Sequence, residues 1–354
     1  MNDYFLIIDG SSLLASSYFG ILPPQLKNPK LSEEEAKKFY PRIMHTTDGK
    51  YTNAIFGFTK TLLNILTTQN PKYIVVNWDE HRNTTFRKKL YPDYKGTRKP
   101  TPEPLREQKE TIMKMLAFIG IQQFKSPEFE ADDFAGTLAK KYEDETYIRI
   151  LTKDRDHLQL VDDKTNVWLT FTVDKEGFST QVDELNAKFN IDASSLEIPN
   201  NVFEVTKDLV KPFYGVEASG VVDLKALMGD TADNIPGVKG IGEKTANILV
   251  DKFKTIENLY GYIEGNNEED VCAYFKECGI KSSKKVYSVL TAKDNNGIAG
   301  KEAALLSKQL ATIKTDINLG ELPLEVFETK INEDNLITSL KRLQFNSLLN
   351  YYNN

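Results

Sequence analysis

Residues 4–9 read YFLIID, a run of aromatic and aliphatic side chains closed by a single acid. Two later stretches are built the same way, KYIVVNWD at 72–79 and YIRILTKD at 147–154. Each is short, rich in β-branched and aromatic residues and almost continuously apolar, the pattern of a strand buried on both faces. Between them lie segments of helical period: NAIFGFTKTLLNILTTQ (53–69), EPLREQKETIMKMLAFIG (103–120) and DDFAGTLAKKYE (132–143). Strands alternating with helices imply an α/β fold with a mostly parallel central sheet flanked by crossover helices.

Two regions break this rhythm. Residues 23–45 read as an irregular, partly helical excursion, and 173–205 as a weakly patterned insertion with the turn markers VDKEG and IPNN. From Asp223 the chain is mainly helical, through VDLKALMGD, GEKTANILVDKF, KEAALLSKQLATI and ITSLKRLQF. With 354 residues, 40% of them hydrophobic, two domains are expected: an α/β core over 1–222 and a helical region over 223–354.

Composition narrows the chemistry. No apolar run approaches the roughly 18–20 residues that cross a bilayer, and the N-terminus lacks a basic leader, so a cytoplasmic protein with no membrane partner is expected. Cys272 and Cys278 fit neither a redox pair nor a zinc cluster, and the histidines are only His45, His81 and His157. Any metal must therefore be held by oxygen. The net charge of −6 argues against indiscriminate coating of nucleic acid, yet Arg82, Arg87, Lys88, Lys89, Lys95, Arg98 and Lys99 face a single acid, Asp93, in the 82–99 stretch.

The acids are placed with more order than the bases. Asp9, Asp79 and the pair Asp154 and Asp156 close the three expected strands, and ligands of an open parallel sheet bind outside the carboxyl ends of its strands. FEADD adds Glu130, Asp132 and Asp133 at a helix entry. Alone, that motif is an acidic helix start complementing the macrodipole, and a lone strand-end Asp is a turn former. Together on one rim, these carboxylates would repel and shift one another's pKa unless cations were bound. MGDTADN supplies a further pair, Asp230 and Asp233, on one side of a turn. Oxygen-only ligands suit Mg²⁺, with Mn²⁺ as a substitute, and two such ions can serve an in-line displacement at phosphorus.

Two motifs point to DNA. IPGVKGIGEKTA (235–246) carries Gly237, Gly240 and Gly242 in a tight turn into a helix, flanked by Lys239 and Lys244, and reads as a hairpin on a duplex backbone. In HRNTTFRKKLYPDYKGTRKPTPEP (81–104), Phe86, Tyr91 and Tyr94 alternate with bases, the composition of a channel that stacks and neutralises a single strand. A solvated loop is the plain alternative for that segment.

These stretches together resemble the 5′-nuclease (flap endonuclease) family, and within it the N-terminal domain of bacterial DNA polymerase I and its free-standing homologues. The matching phrases are IIDGSSLLASSYF, TTDGKYTNAIFGFTKTLLNIL, FRKKLYPDYKGTRKPTPEPLREQ, FEADDFAGTLAKK, ILTKDRDHLQLV, LMGDTADNIPGVKGIGEKTANILV and LSKQLATIKTDINL, in family order across nearly the whole chain. The resemblance implies a PIN-like nuclease core and a metal-dependent 5′→3′ exonuclease that also cuts 5′ flaps, in replication, including RNA primer removal, and repair. It implies that Asp9, Asp79, Glu130, Asp132 and Asp154 hold one ion while Asp156, Asp230 and Asp233 gather round a second, with Asp133 acting through water. It further implies an arch over 80–110 whose Arg87 and Lys95, with Arg98 nearby, reach the scissile phosphate. Over 235–255 it implies a helix–three-turn–helix that often carries K⁺.

The expected partners are DNA 5′ ends, flaps and junctions, and RNA–DNA hybrids, bound by a monomer. No polymerase region follows LQFNSLLNYY, so the chain is expected to work alone or through partners that the sequence does not name. Against the family pattern, 23–45 and 173–205 are longer than usual, which bears on substrate preference and removes no carboxylate. A non-catalytic junction binder would not need the complete acid set, and a PIN-type ribonuclease would leave the glycine hairpin and basic segment unused.

Overall fold

The computed structural model describes residues 3–28, 30–80, 83–170, 183–184, 187, 202–293 and 298–353. The three expected strands form as Tyr4–Asp9 (β1), Tyr73–Asp79 (β2) and Tyr147–Thr152 (β4), and Gln122–Ser126 (β3), Thr165–Thr170 (β5) and Val202–Val205 (β6) complete one sheet. Its order is β3-β2-β1-β4-β5-β6, parallel throughout except for β6, which runs antiparallel to β5. The sequence signal for β3 is weak because QQFKS is largely polar and only partly buried at the sheet edge. Within the weakly patterned 173–205 stretch, β6 is ordered, while most of that stretch lies outside the described residues.

The strand order turns back between β1 and β4, where β1 sends its crossover to β2 on one side and β4 lies on the other. Crevices open at the carboxyl edge at such a reversal. Asp9 closes β1 there and caps the helix Gly10–Gly20, its Oδ1 accepting from the Ser12 N–H at 2.9 Å. Asp79 closes β2 on the same edge.

Alternation along β1 divides the interior. Phe5 and Ile7 join one buried cluster, and Tyr4, Leu6 and Ile8 join another on the opposite face. The first cluster continues through Leu224, Leu249, Val271 and Leu290 to Phe327, so apolar packing runs across the expected boundary at 222/223. The second gathers Phe58, Leu62, Ile112 and Leu116 from the helices Asn53–Thr68 and Glu103–Phe118. The last helices, Glu333–Arg342 and Asn346–Asn353, return to that face through Leu336, Leu340 and Leu348, with Phe345 from the link between them. The 23–45 excursion is partly helical, as expected, with a capped helix Glu33–Lys37 between two single 3₁₀ turns.

One turn is held by glycine alone. Gly237 has φ +60°, and a Cβ there would lie 2.3 Å from the Gly229 nitrogen, itself at φ +74°. Gly237→Ala is therefore expected to cost about 1–3 kcal/mol in backbone strain and a similar amount in overlap. Gly242, with no heavy atom near its missing Cβ, should accept alanine within about 0.5 kcal/mol. Urea unfolding of the two variants compares them directly, and equal midpoints would contradict this packing.

Candidate metal centre and nucleic-acid interface

The helix Ala131–Tyr142 follows β3, and Glu130 caps it. Because this helix packs beside β1 and β2, Glu130, Asp132 and Asp133 arrive at the rim already formed by Asp9 and Asp79. One oxygen from each of Glu130, Asp132 and Asp133 lies within 4.8 Å of the others. The Asp79 Oδ1 accepts from the Ala131 N–H at 2.9 Å, which ties the strand end to the helix start. Across the reversal, Thr152 donates to the Asp9 Oδ2 at 2.9 Å, and the Asp156 N–H donates to the Asp154 Oδ1 at 2.9 Å. Asp9, Asp79, Asp132, Asp154, Asp156 and Asp230 all line a single open cleft of about 1530 Å³, together with Lys95 and Arg98.

The cations are divided unevenly among these acids. Arg87 is 1% exposed and is fully engaged: its guanidinium grips both oxygens of Asp133 at 2.7 Å, Glu130 at 3.0 Å, and the carbonyls of Leu310 at 2.9 Å and Thr312 at 2.8 Å. Asp133 also accepts from the backbone N–H groups of Glu130 and Lys314, so its carboxylate is saturated within the protein. These two placements differ from expectation: Arg87 is buried with its guanidinium occupied by protein partners, and the lone pairs of the Asp133 carboxylate are taken up within the protein. Lys95 lies 2.7 Å from Glu130 and 3.6 Å from Asp233, and Arg98 bonds Asp233.

Tyr94 departs as well. It is 3% exposed, with its hydroxyl donating to Glu130 at 3.0 Å and Asp233 at 3.3 Å, so its ring lies in the protein rather than open to a nucleobase. The basic segment is latched to the Asp230–Asp233 turn, since the Lys95 N–H donates to the Asp233 carbonyl at 2.7 Å and Asn234 donates to the Asp93 carbonyl at 2.8 Å. Lys95 takes φ +52° to make this link.

Two buried residues at the site belong to none of the expected roles. Lys225, on the helix Val221–Met228, bridges Asp156 and Asp230, the latter at 2.6 Å. A lysine in VVDLKALM, a mostly apolar helix whose one other charge is Asp223, is the signal that could have marked it. His157 is buried beside Asp154, and neither ring nitrogen has a hydrogen bond among the described residues. Burial pushes its pKa down despite Asp154.

Several carboxylates remain short of positive charge. Burial, then Asp79, raises Asp9 to about 7, and burial with Asp154 raises Asp156 to about 7 even though Lys225 opposes it. Burial and the Asp133 carboxylate push Asp132 well up, and its buried Oδ1 has no hydrogen bond among the described residues. Burial acts in the same sense on Asp79, but Lys95, the Ala131 N–H, Lys109 and Ser11 outweigh it and hold Asp79 below the usual range. For Asp230, burial is likewise overcome by Lys225. An orphaned carboxylate oxygen among all-oxygen donors fits a hard divalent cation.

Such a site loads only when deprotonated. A raised carboxyl pKa contributes to metal-free stability in acid, and that contribution is lost as pH rises through about 7. The gain in melting temperature on adding Mg²⁺ is therefore expected to be larger at pH 8 than at pH 6. An equal gain at both would remove Asp9 and Asp156 from the metal set.

At the hairpin, Gly240 and Gly242 are exposed, as are Lys239 and Lys244, and Gly242 caps the helix Glu243–Phe253 without a side-chain bond. Gly237 is buried and its N–H is taken by the Ser307 hydroxyl at 2.9 Å, so it shapes the turn and offers nothing to a phosphate. Among the described residues no helix is long and apolar enough to cross a membrane.

Known proteins carry the same plan. The T5 D15 protein co-crystallised with metal ions shares this fold at 16% identity, with a TM-score of 0.51 over 96% of this chain and 98% of its own. The catalytic core of Rad2 in complex with DNA substrate does so at 14% identity, with a TM-score of 0.51 over 97% of this chain and 88% of its own. The DNA polymerase I of Bacillus subtilis (strain 168) is 31% identical over 350 residues, 97% of this chain but 32% of its own length, so the chain spans about a third of that relative. A 5′-3′ exonuclease of Buchnera aphidicola is 34% identical over 318 residues, 89% of this chain and 88% of its own. The 5′-3′ exonuclease N-terminal resolvase-like domain matches residues 4–190 and the 5′-3′ exonuclease C-terminal SAM fold matches 216–335. With both domains in order on one chain, and an acid-lined cleft at the carboxyl edge of its sheet, this protein belongs to the 5′-3′ exonuclease family.

Proposed function

We propose that the chain is a divalent-metal-dependent hydrolase that cuts DNA phosphodiesters from 5′ ends and at 5′ flaps. The observation that carries this reading is the gathering of Asp9, Asp79, Asp132, Asp154, Asp156 and Asp230, from separate segments, around one open cleft that also holds Lys95 and Arg98. Asp9, Asp79, Glu130, Asp132 and Asp154 would hold one Mg²⁺, with Mn²⁺ as substitute, and Asp156, Asp230 and Asp233 a second. Bound there, such ions activate a water and neutralise the leaving oxygen at phosphorus.

The chain's own groups do the rest. Lys95 and Arg98, resting on Glu130 and Asp233, stand at the acid rim with positive charge to turn toward a phosphate. Arg87 acts as a positioning residue by fixing Glu130 and Asp133. Lys239, Gly240, Gly242 and Lys244 are open to a duplex backbone, the place for a K⁺ ion as well. The working division is an α/β nuclease core over 1–222 and a helical duplex-binding region over 223–354 that also lends Asp230 and Asp233 to the metal site, acting as a cytoplasmic monomer on DNA and RNA–DNA hybrids.

The test is cleavage of a 5′-labelled flap substrate beside a matched blunt duplex, in Mg²⁺ and then with chelator. Metal-dependent products at the junction are expected. Lys95→Ala should lower the single-turnover rate by about 10²–10³-fold. Binding without cleavage by the wild type would overturn the catalytic reading, and an unchanged Lys95→Ala rate would reduce that lysine to a structural charge.

A further inference from the structure

Lysines in this acidic chain are commonly paired with acids: Lys207 with Asp163, Lys211 with Asp251, Lys301 with Glu264, Lys308 with Asp223 and Glu257. Beside the glycine hairpin the pattern changes. Lys281, Lys284 and Lys285 are exposed, and none forms an ion pair with an acid among the described residues, as is true of Lys239 and Lys244. Charges left unpaired on an acidic protein are available to an anionic partner.

Their position is fixed by packing. The helix Ser283–Leu290 buries Ser283, Val286 and Leu290. Its Val289 lies against the hairpin, 3.4 Å from where a Cβ of Gly240 would be. Lys285 stands one turn before Val289 on the same stripe, about 6 Å along the axis. Lys284 is its neighbour around the helix, and Lys281 lies in the turn that leads in. The positive surface therefore leaves the hairpin at Gly240 and runs along this helix away from it. That direction matches a continuous polyanion with a charge every few ångströms better than a compact anion.

We propose that Lys281, Lys284 and Lys285 form a second backbone track that grips the duplex beyond the stretch held by the hairpin. The track rests on the DNA-cleaving reading above and adds to it a dependence on duplex length. It contacts phosphates, so it sets affinity and register without reading sequence. None of the three lysines lines the carboxylate cleft, so the rate of the bound complex is left alone.

The experiment compares wild type, the triple variant Lys281→Ala/Lys284→Ala/Lys285→Ala, and Lys60→Ala, an exposed lysine on the helix Asn53–Thr68. Flap substrates with a short and a long duplex arm are titrated by anisotropy with chelator across a KCl series, and single-turnover cleavage is read in Mg²⁺. For the long arm, the triple variant should bind about tenfold more weakly and lose about 2–3 units of salt slope, while the short arm and the cleavage rate at saturation stay as in wild type. Lys60→Ala should match wild type throughout. A long-arm affinity and salt slope equal to wild type, with wild type cutting normally, would overturn the track alone. Equal weakening on both arms would overturn it too, as general charge loss. Absence of DNA binding and cleavage by wild type would instead bring down the nuclease reading, and the track with it.

Discussion

Asp132→Ala is expected to abolish phosphodiester cleavage, a fall of about 10³-fold or more, while DNA binding stays near wild type. Loss of a metal-held charge forfeits several kcal/mol at the transition state, and each 1.4 kcal/mol is about tenfold in rate. The phosphate contacts proposed for the hairpin and its flanking helix lie on other elements and are left intact. The same substitution should raise the stability of the metal-free protein. Asp132 carries a buried, unbonded oxygen, and burial together with Asp133 pushes its pKa well up, so the folded state gains by losing that carboxylate. Single-turnover cleavage, anisotropy and thermal unfolding without metal read the three effects. Near-full turnover, or a fall in metal-free stability, would take Asp132 out of the metal set.

Arg87→Ala should act in the opposite order, through the fold first. Asp133 is wholly buried and Glu130 nearly so, and both lose their guanidinium partner at once. Breaking a buried pair from one side costs about 3–5 kcal/mol, a large part of the 5–15 kcal/mol that holds an ordinary domain. Arg87→Lys should recover only part of this, because an ammonium cannot hold both Asp133 oxygens and two carbonyls in one plane. Urea unfolding at neutral pH measures both variants. A loss below about 1 kcal/mol with a large fall in cleavage would return Arg87 to the phosphate-contacting role that the resemblance implied.

The contrast between these two residues marks where local reading stops. Asp132 and Arg87 both sit in stretches that match the family, FEADD and FRKK, and nothing within either stretch separates a carboxylate that lines the cleft from a guanidinium buried behind it. The distinction arises because the carbonyls of Leu310 and Thr312, more than 200 residues further on, close over the guanidinium. Tyr94 is similar. Its spacing among basic residues suits stacking on a strand, yet Glu130 and Asp233 accept its hydroxyl and draw the ring inside. Gly237, Gly240 and Gly242 look alike in the hairpin string, but only Gly237 meets the Gly229 backbone.

What the sequence determined by itself is the α/β alternation, the parallel strands of β1, β2 and β4, and the acids at their carboxyl ends. All of these depend on neighbours within one element, on period and strand-end placement, and so are written locally. The family membership was legible for the same reason, through whole motifs kept in order. The tertiary structure alone decided which carboxylate receives which cation: Arg87 saturates Asp133, Lys225 bridges Asp156 and Asp230, and the Asp132 Oδ1 stands 4.0 Å from Arg87 with no hydrogen bond among the described residues. Charge pairing depends on distance in space and on burial, and no periodicity along the chain encodes which distant lysine or arginine will fold onto which acid.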